Sequence, residues 1–216
     1  MEKEEFILNK RAIRSVYNKS DYKTQKVFER MFGSEMFKPI NRIINSFEDV
    51  IEFLGDSGLQ CVNDYKALSS MSNVSSSLMA YTKLRMIATA FNDGDEFNPA
   101  NYKFGLKHVS VGYHILDKES YKRFYRKEFC LPIKDTENYI YIGCFPVYTT
   151  SYNCNGSAII FKNPTTAESC IRKFMPLFYE YYTYDIFSHM NDCRINNGMI
   201  TSKLQLPSSQ TNINLL

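Results

Sequence analysis

Apolar residues over the first ninety positions recur at helical spacing, and beyond residue 105 they change to strict alternation. Phe6, Ile13, Val16 and Tyr17 fall on one face, with Lys10, Arg11 and Arg14 opposite. A second helix is expected from Ser20 or Asp21, burying Val27, Phe28, Met31 and Phe32 and stopping at Gly33. Ser46-Phe-Glu-Asp49 has the form of a capping box, opening a helix that buries Phe47, Val50, Ile51 and Leu54 and ends at Gly55. After a serine-rich loop, Ser69 to Ser77, the residues Leu78, Tyr81, Leu84, Ala88 and Phe91 predict one more helix, closed by Asn92-Asp-Gly94.

From residue 109 the period is two. Val109, Val111, Tyr113 and Ile115 alternate with Ser110, Gly112 and His114, as in a half-buried strand. A short basic helix over about 118–129 follows, then strands at Tyr139–Ile142 and Ser157–Phe161. Asn155-Gly156 favours a chain reversal between those two strands, which makes them antiparallel neighbours. Asn163 and Pro164 open a last helix whose inner face is Ala167, Cys170, Ile171, Phe174, Phe178 and Tyr181, and Pro176 is expected to kink or end it. The reading is an α+β fold: a helical N-terminal half packed with a small antiparallel sheet (about 105–161) and a C-terminal helix. One domain, 1–203, is followed by a polar tail, 204–216.

Composition changes this picture in one respect. The 216 residues include sixteen Tyr and sixteen Phe but no Trp, so rings dominate the core and many hydroxyls must stay wet or bonded, which favours protein contact surfaces. A net charge of +3 is too small to act alone as a nucleic-acid footprint. Six cysteines with no C-x-x-C pair read as reduced, buried thiols. The apolar runs are too short for a signal peptide or a membrane span, so the expected location is the cytosol, without membrane partners.

Candidate chemistry is thin. Asp185, His189 and Cys193 share one helical face at i, i+4, i+8 and could form part of a zinc site or an activated-cysteine set, but no fourth ligand with recognisable spacing accompanies them. His108 and His114 lie about 20 Å apart along a strand and cannot share an ion. The 118–129 segment sets Lys122, Arg123, Arg126 and Lys127 against Tyr121, Phe124, Tyr125 and Phe129. Cations interleaved with rings, Tyr125 foremost, could grip phosphates and stack bases. An amphipathic helix with solvated charges explains the same pattern more simply. Phosphate-loop, H-E-x-x-H and G-x-S-x-G motifs are absent. No catalytic residue, metal ligand or cofactor is assigned.

Three stretches resemble a family of small proteins from tailed phages and prophages of gut Bacteroidetes. They are Val27-Phe-Glu-Arg-Met-Phe-Gly-Ser-Glu-Met-Phe37 leading into the Ser46 capping box, Tyr81-Thr-Lys-Leu-Arg-Met-Ile-Ala-Thr-Ala-Phe-Asn92, and Gly156-Ser-Ala-Ile-Ile-Phe-Lys-Asn163 with the helix after it. Where that family has a tryptophan-rich segment, this chain has Asp95-Glu-Phe-Asn-Pro99. The resemblance implies a viral context, in the bacterial host cytoplasm or the virion, and no activity. The expected function is therefore non-enzymatic: a phage accessory protein that binds a protein of host or virus, with self-association and virion assembly included in that class. Nucleic-acid binding by the 118–129 helix is the alternative, and a Cys/His-dependent enzyme the least favoured.

Overall fold

The computed structural model describes residues 10–55, 57–96, 108–146 and 159–195, with 185–195 as backbone alone. The polar tail, the Asn155-Gly156 turn, Phe6, Cys154 and the segment 97–107 lie outside the described residues.

Among the described residues six α-helices precede the sheet: α1 Lys10–Lys19, α2 Tyr22–Phe32, α3 Ile40–Ile43, α4 Phe47–Leu54, α5 Gln60–Ser69 and α6 Ser76–Phe91. Local chemistry sets most of their ends. Asp21 accepts from the Thr24 N–H and Gly33, at φ +82°, ends α2. Ser46 and Asp49 form the reciprocal capping box of α4, so the shorter Asp suffices in the third position. Ser75 caps α6. The N-cap of α5 is Leu59, which has no side-chain acceptor to offer. Glu96, 35 residues beyond Cys61, supplies it instead by accepting from the Gln60 and Cys61 N–H groups at 3.1 Å each. Arg85 of α6 holds that carboxylate at 2.8 Å and Asp64 of α5 at 2.7 Å. The periodicity did not mark α5, because its cap is not local.

The sheet contains β1 Val109–Leu116, β2 Cys130–Pro132, β3 Tyr139–Pro146 and β4 Ile160–Phe161, in the antiparallel order β2-β3-β1-β4. This corrects the expected pairing of the second and third strands. β1 and β3 match over eight residues, Val109 opposite Pro146 through Leu116 opposite Tyr139, and β4 takes the other edge of β1. The outer edge of β4 is closed by a side chain. Asn92 donates to the Ile160 carbonyl (2.8 Å) and accepts from the Lys162 N–H (3.1 Å), so its amide stands in for a strand.

α8 (Pro164–Ile195) runs between α6 and the sheet. Asn163 caps it, as expected. Ala167, Cys170, Ile171, Phe174 and Phe178 are buried, and Tyr182 joins them in place of the half-buried Tyr181. Pro176 kinks the helix without ending it; the backbone leaves helical geometry at Phe174 (φ −116°, ψ 23°). Tyr182 donates to the Val111 carbonyl at 2.7 Å, Phe91 meets Phe174 edge-on, and Tyr81 stacks on Tyr181. The buried cluster is mostly aliphatic, with Phe53, Phe91, Phe129, Phe161, Phe174, Phe178 and Tyr182 as its rings among the described residues. This corrects the expectation of a ring-dominated core: Phe47, Tyr65, Tyr81 and Tyr113 pack at its half-buried margin, and α8 runs through its centre. No described helix is long and apolar enough to cross a membrane.

Candidate functional site

The hairpin of α1 and α2 departs furthest from the periodicity. Arg14, expected on the solvent face, is 5% exposed, whereas Val16, expected inside, is 52% exposed. The reversal has a cause in the chain that follows. The residues between Gly33 and Pro39, including a 3-10 turn at Ser34–Phe37, leave carbonyls that no helix or ladder satisfies. The Arg14 guanidinium donates to two of them, Met36 O (2.5 Å) and Lys38 O (3.0 Å), and to Asp93 Oδ1 (2.9 Å). Tyr17 then turns inward and stacks on Phe37 (4.0 Å), with Phe28 edge-on to both rings and Phe32 beside it.

That small aromatic knot uses only one side of α2. None of the eleven residues of α2 is buried. Phe28 and Phe32 are half-buried, but Val27 and Met31, expected inside, are 52% and 68% exposed. Lys23 and Arg30 flank them, exposed and without a carboxylate partner among the described residues. Residues 10–32 hold seven basic and two acidic side chains, net +5, where the whole chain is only +3. The surface is apolar along one stripe and basic around it.

The segment expected to bind nucleic acid is built differently from the continuous helix predicted. α7 covers Lys118–Arg123 only, capped by Asp117; Phe124 is extended, and Lys127–Phe129 form a 3-10 turn leading into β2. Arg126 is taken up inside the fold. It donates to Glu168 of α8 at 2.8 Å, which raises its own pKa and holds the Glu168 carboxyl below the usual range. Its guanidinium lies 4.5 Å from the Phe129 ring, and Arg172 covers the same ring at 4.4 Å. Lys122 pairs with Glu119 and Lys127 sits over Tyr121. Tyr121 stacks on Tyr139, and Phe124 meets Tyr141. Arg123 and Tyr125 face solvent, the latter 86% exposed. Of the five, Arg126 is committed to Glu168, Lys122 and Lys127 are engaged with Glu119 and the Tyr121 ring, and Arg123 and Tyr125 are exposed.

Neither a protein-family model, nor a curated protein, nor a solved structure matches this chain.

The remaining chemical candidates fall partly within the described residues. Burial pushes the Cys144 thiol up to about 12, raises Cys61 and Cys130, and holds Cys170 well above the usual range, so these four are protonated, non-nucleophilic thiols at neutral pH. The α8 backbone is helical through Asp185, His189 and Cys193, whose side chains lie outside the description. His114 is exposed and meets Phe145 edge-on, 5.0 Å away. Among the described residues no three His, Cys, Asp or Glu groups gather as a metal site. A cleft of about 360 Å³ between the α5–α6 loop and α8 is lined by Met71, Val74, Met79 and Leu177, with Lys83 and Glu180 at its polar positions. Lys83 is already engaged over the Phe47 ring at 5.3 Å.

The sequence did carry a signal for the α2 face. Phe28 and Phe32 complete one inner stripe on their own, and in helical projection Val27 and Met31 fall on the flank shared with Lys23 and Arg30. Charge counted over that segment, instead of over the whole chain, exposes the imbalance.

Proposed function

We propose that this chain is a non-enzymatic binding protein, a phage or prophage accessory factor that works by docking another protein on the outer face of α2. The observation that carries the reading is an entire helix that adds no buried side chain to its own fold while presenting Val27 and Met31 to solvent. Each would contribute about 1.5–3 kcal/mol if fully buried against a partner. Scattered exposed apolar residues are ordinary; a stripe of two on a helix that needs neither for its core marks an interaction surface. The test is retention of a partner by the wild-type chain and by the Val27→Lys/Met31→Lys variant, on infected-cell extract. A partner held by the first and reduced at least tenfold by the second supports the reading, and equal retention contradicts it.

A second reading rests on Tyr125, the most exposed large hydrophobic side chain among the described residues. With Lys122, Arg123 and Lys127 near it in sequence, it offers an open ring for base stacking. Arg126, committed to Glu168, is withdrawn from that role. Salt-sensitive binding of single-stranded oligonucleotides, lost in Arg123→Glu and Tyr125→Ala, would establish it; an absence of binding at low salt would remove it.

A further inference from the structure

The counterpart of the α2 face is present on the same chain. α4 is fastened to the core by Val50, Phe53 and Leu54, and its outer side carries Glu48, Ile51 and Glu52, which i, i+3, i+4 spacing places together. Ile51, expected inside, is 42% exposed, with the two carboxylates on one side of it along the helix. Glu48 has no basic partner among the described residues. Glu52 pairs with Lys10, but both side chains are more than half-solvated or nearly so (67% and 50% exposed), and such a pair exchanges readily. α2 therefore offers Val27 and Met31 beside the cations Lys23 and Arg30, and α4 offers Ile51 beside the anions Glu48 and Glu52. Both helices pack on α1, α2 through Tyr17 and Phe28, α4 through Lys10 and Glu52.

The geometry points to a second copy of this chain as the occupant: the α2 face of one copy docks on the α4 face of another. Val27 and Met31 cover Ile51, while Lys23 and Arg30 meet Glu48 and Glu52. The proposal rests on the reading of α2 as a docking surface and supplies its partner. Contacts between helices of eleven and eight residues bury less than a standard interface, so association is weak and concentration-dependent. Reciprocal pairing closes a two-fold dimer, and one-way pairing extends into a chain of copies.

Charge reversal tests this on the full-length protein. Sedimentation of the wild type should show association that weakens with added salt. Lys23→Glu/Arg30→Glu, and separately Glu48→Lys/Glu52→Lys, should each weaken it at least tenfold by setting like charges opposite one another. An equimolar mixture of the two reversed chains should associate again, since each now carries the other's complement. Wild-type association by either reversed chain alone, or a mixture that stays monomeric, overturns the proposal. A photo-crosslinking residue in place of Met31 gives an answer even where a reversed chain folds poorly. A crosslink to residues 47–54 of another copy supports self-docking. A crosslink to a different protein overturns self-docking and leaves the α2 reading standing. A surface that crosslinks to nothing, in extract or at high concentration, sinks both.

Discussion

Arg14 is buried because the chain beside it exposes carbonyls that only a multi-pronged donor can satisfy, and the guanidinium has five N–H groups to give. Arg14→Ala should destabilise the protein by about 3 kcal/mol in urea denaturation, since it strands Asp93 and two carbonyls. Asp93→Asn should cost less, about 1 kcal/mol, because that carboxylate is 40% exposed. Glu168 works in the opposite direction of pH from a buried base. The hydrogen bond from Arg126 lowers its folded pKa below the ordinary 4.5, so its contribution is present above that value and is lost as pH falls through the folded pKa. Urea midpoints should drop as pH falls below the ordinary carboxylate value of 4.5 and through the lowered folded pKa, and Glu168→Gln should flatten part of that slope. An unchanged slope would show that the pair with Arg126 does not form in solution.

At the level of elements, the parts legible in the sequence were those with local determinants. Asp21, Ser46 with Asp49, and Asn163 with Pro164 mark their helices within four residues. β1 lies where the alternation placed it, but its burial does not alternate: Ser110 is buried and Ile115 is exposed. The parts that were not legible depend on distant partners. α5 is capped by Glu96, β1 comes between β3 and β4, and Arg14 answers to a turn twenty residues on. The same division explains the candidate site. Arg126 and Tyr125 looked alike as members of one amphipathic segment, but a break at Phe124 and the carboxylate of Glu168 send one inward and leave the other in water. The distant cap is open to test. Glu96→Ala should fray the start of α5, seen as faster hydrogen exchange at Gln60 and Cys61, with a loss of about 1–2 kcal/mol. Exchange at wild-type rates would mean that α5 holds its first turn unaided.

In the whole molecule the stable body and the charged surface are separate. Rings and aliphatics from α6, α8 and the sheet form the buried cluster, with α4 and α5 on its flank, and α2 contributes nothing to it. The basic excess of residues 10–32 leaves the remainder of the chain at −2, so the charge asymmetry lies between the hairpin and everything else. A helix held by one aromatic knot and by the hydrogen bonds of Glu29 and Gln25 to Tyr17 belongs to the low-stability end of a fold, where docking and exchange with partners are cheapest. The most direct measurement is therefore a paired one on Val27→Glu/Met31→Glu, unfolding free energy together with association by sedimentation. A face that works by docking predicts a change in stability within about 0.5 kcal/mol and association weakened at least tenfold. A stability loss of about 2 kcal/mol or more would show that this stripe belongs to the fold, and association at the wild-type level would show that copies of the chain do not dock through it.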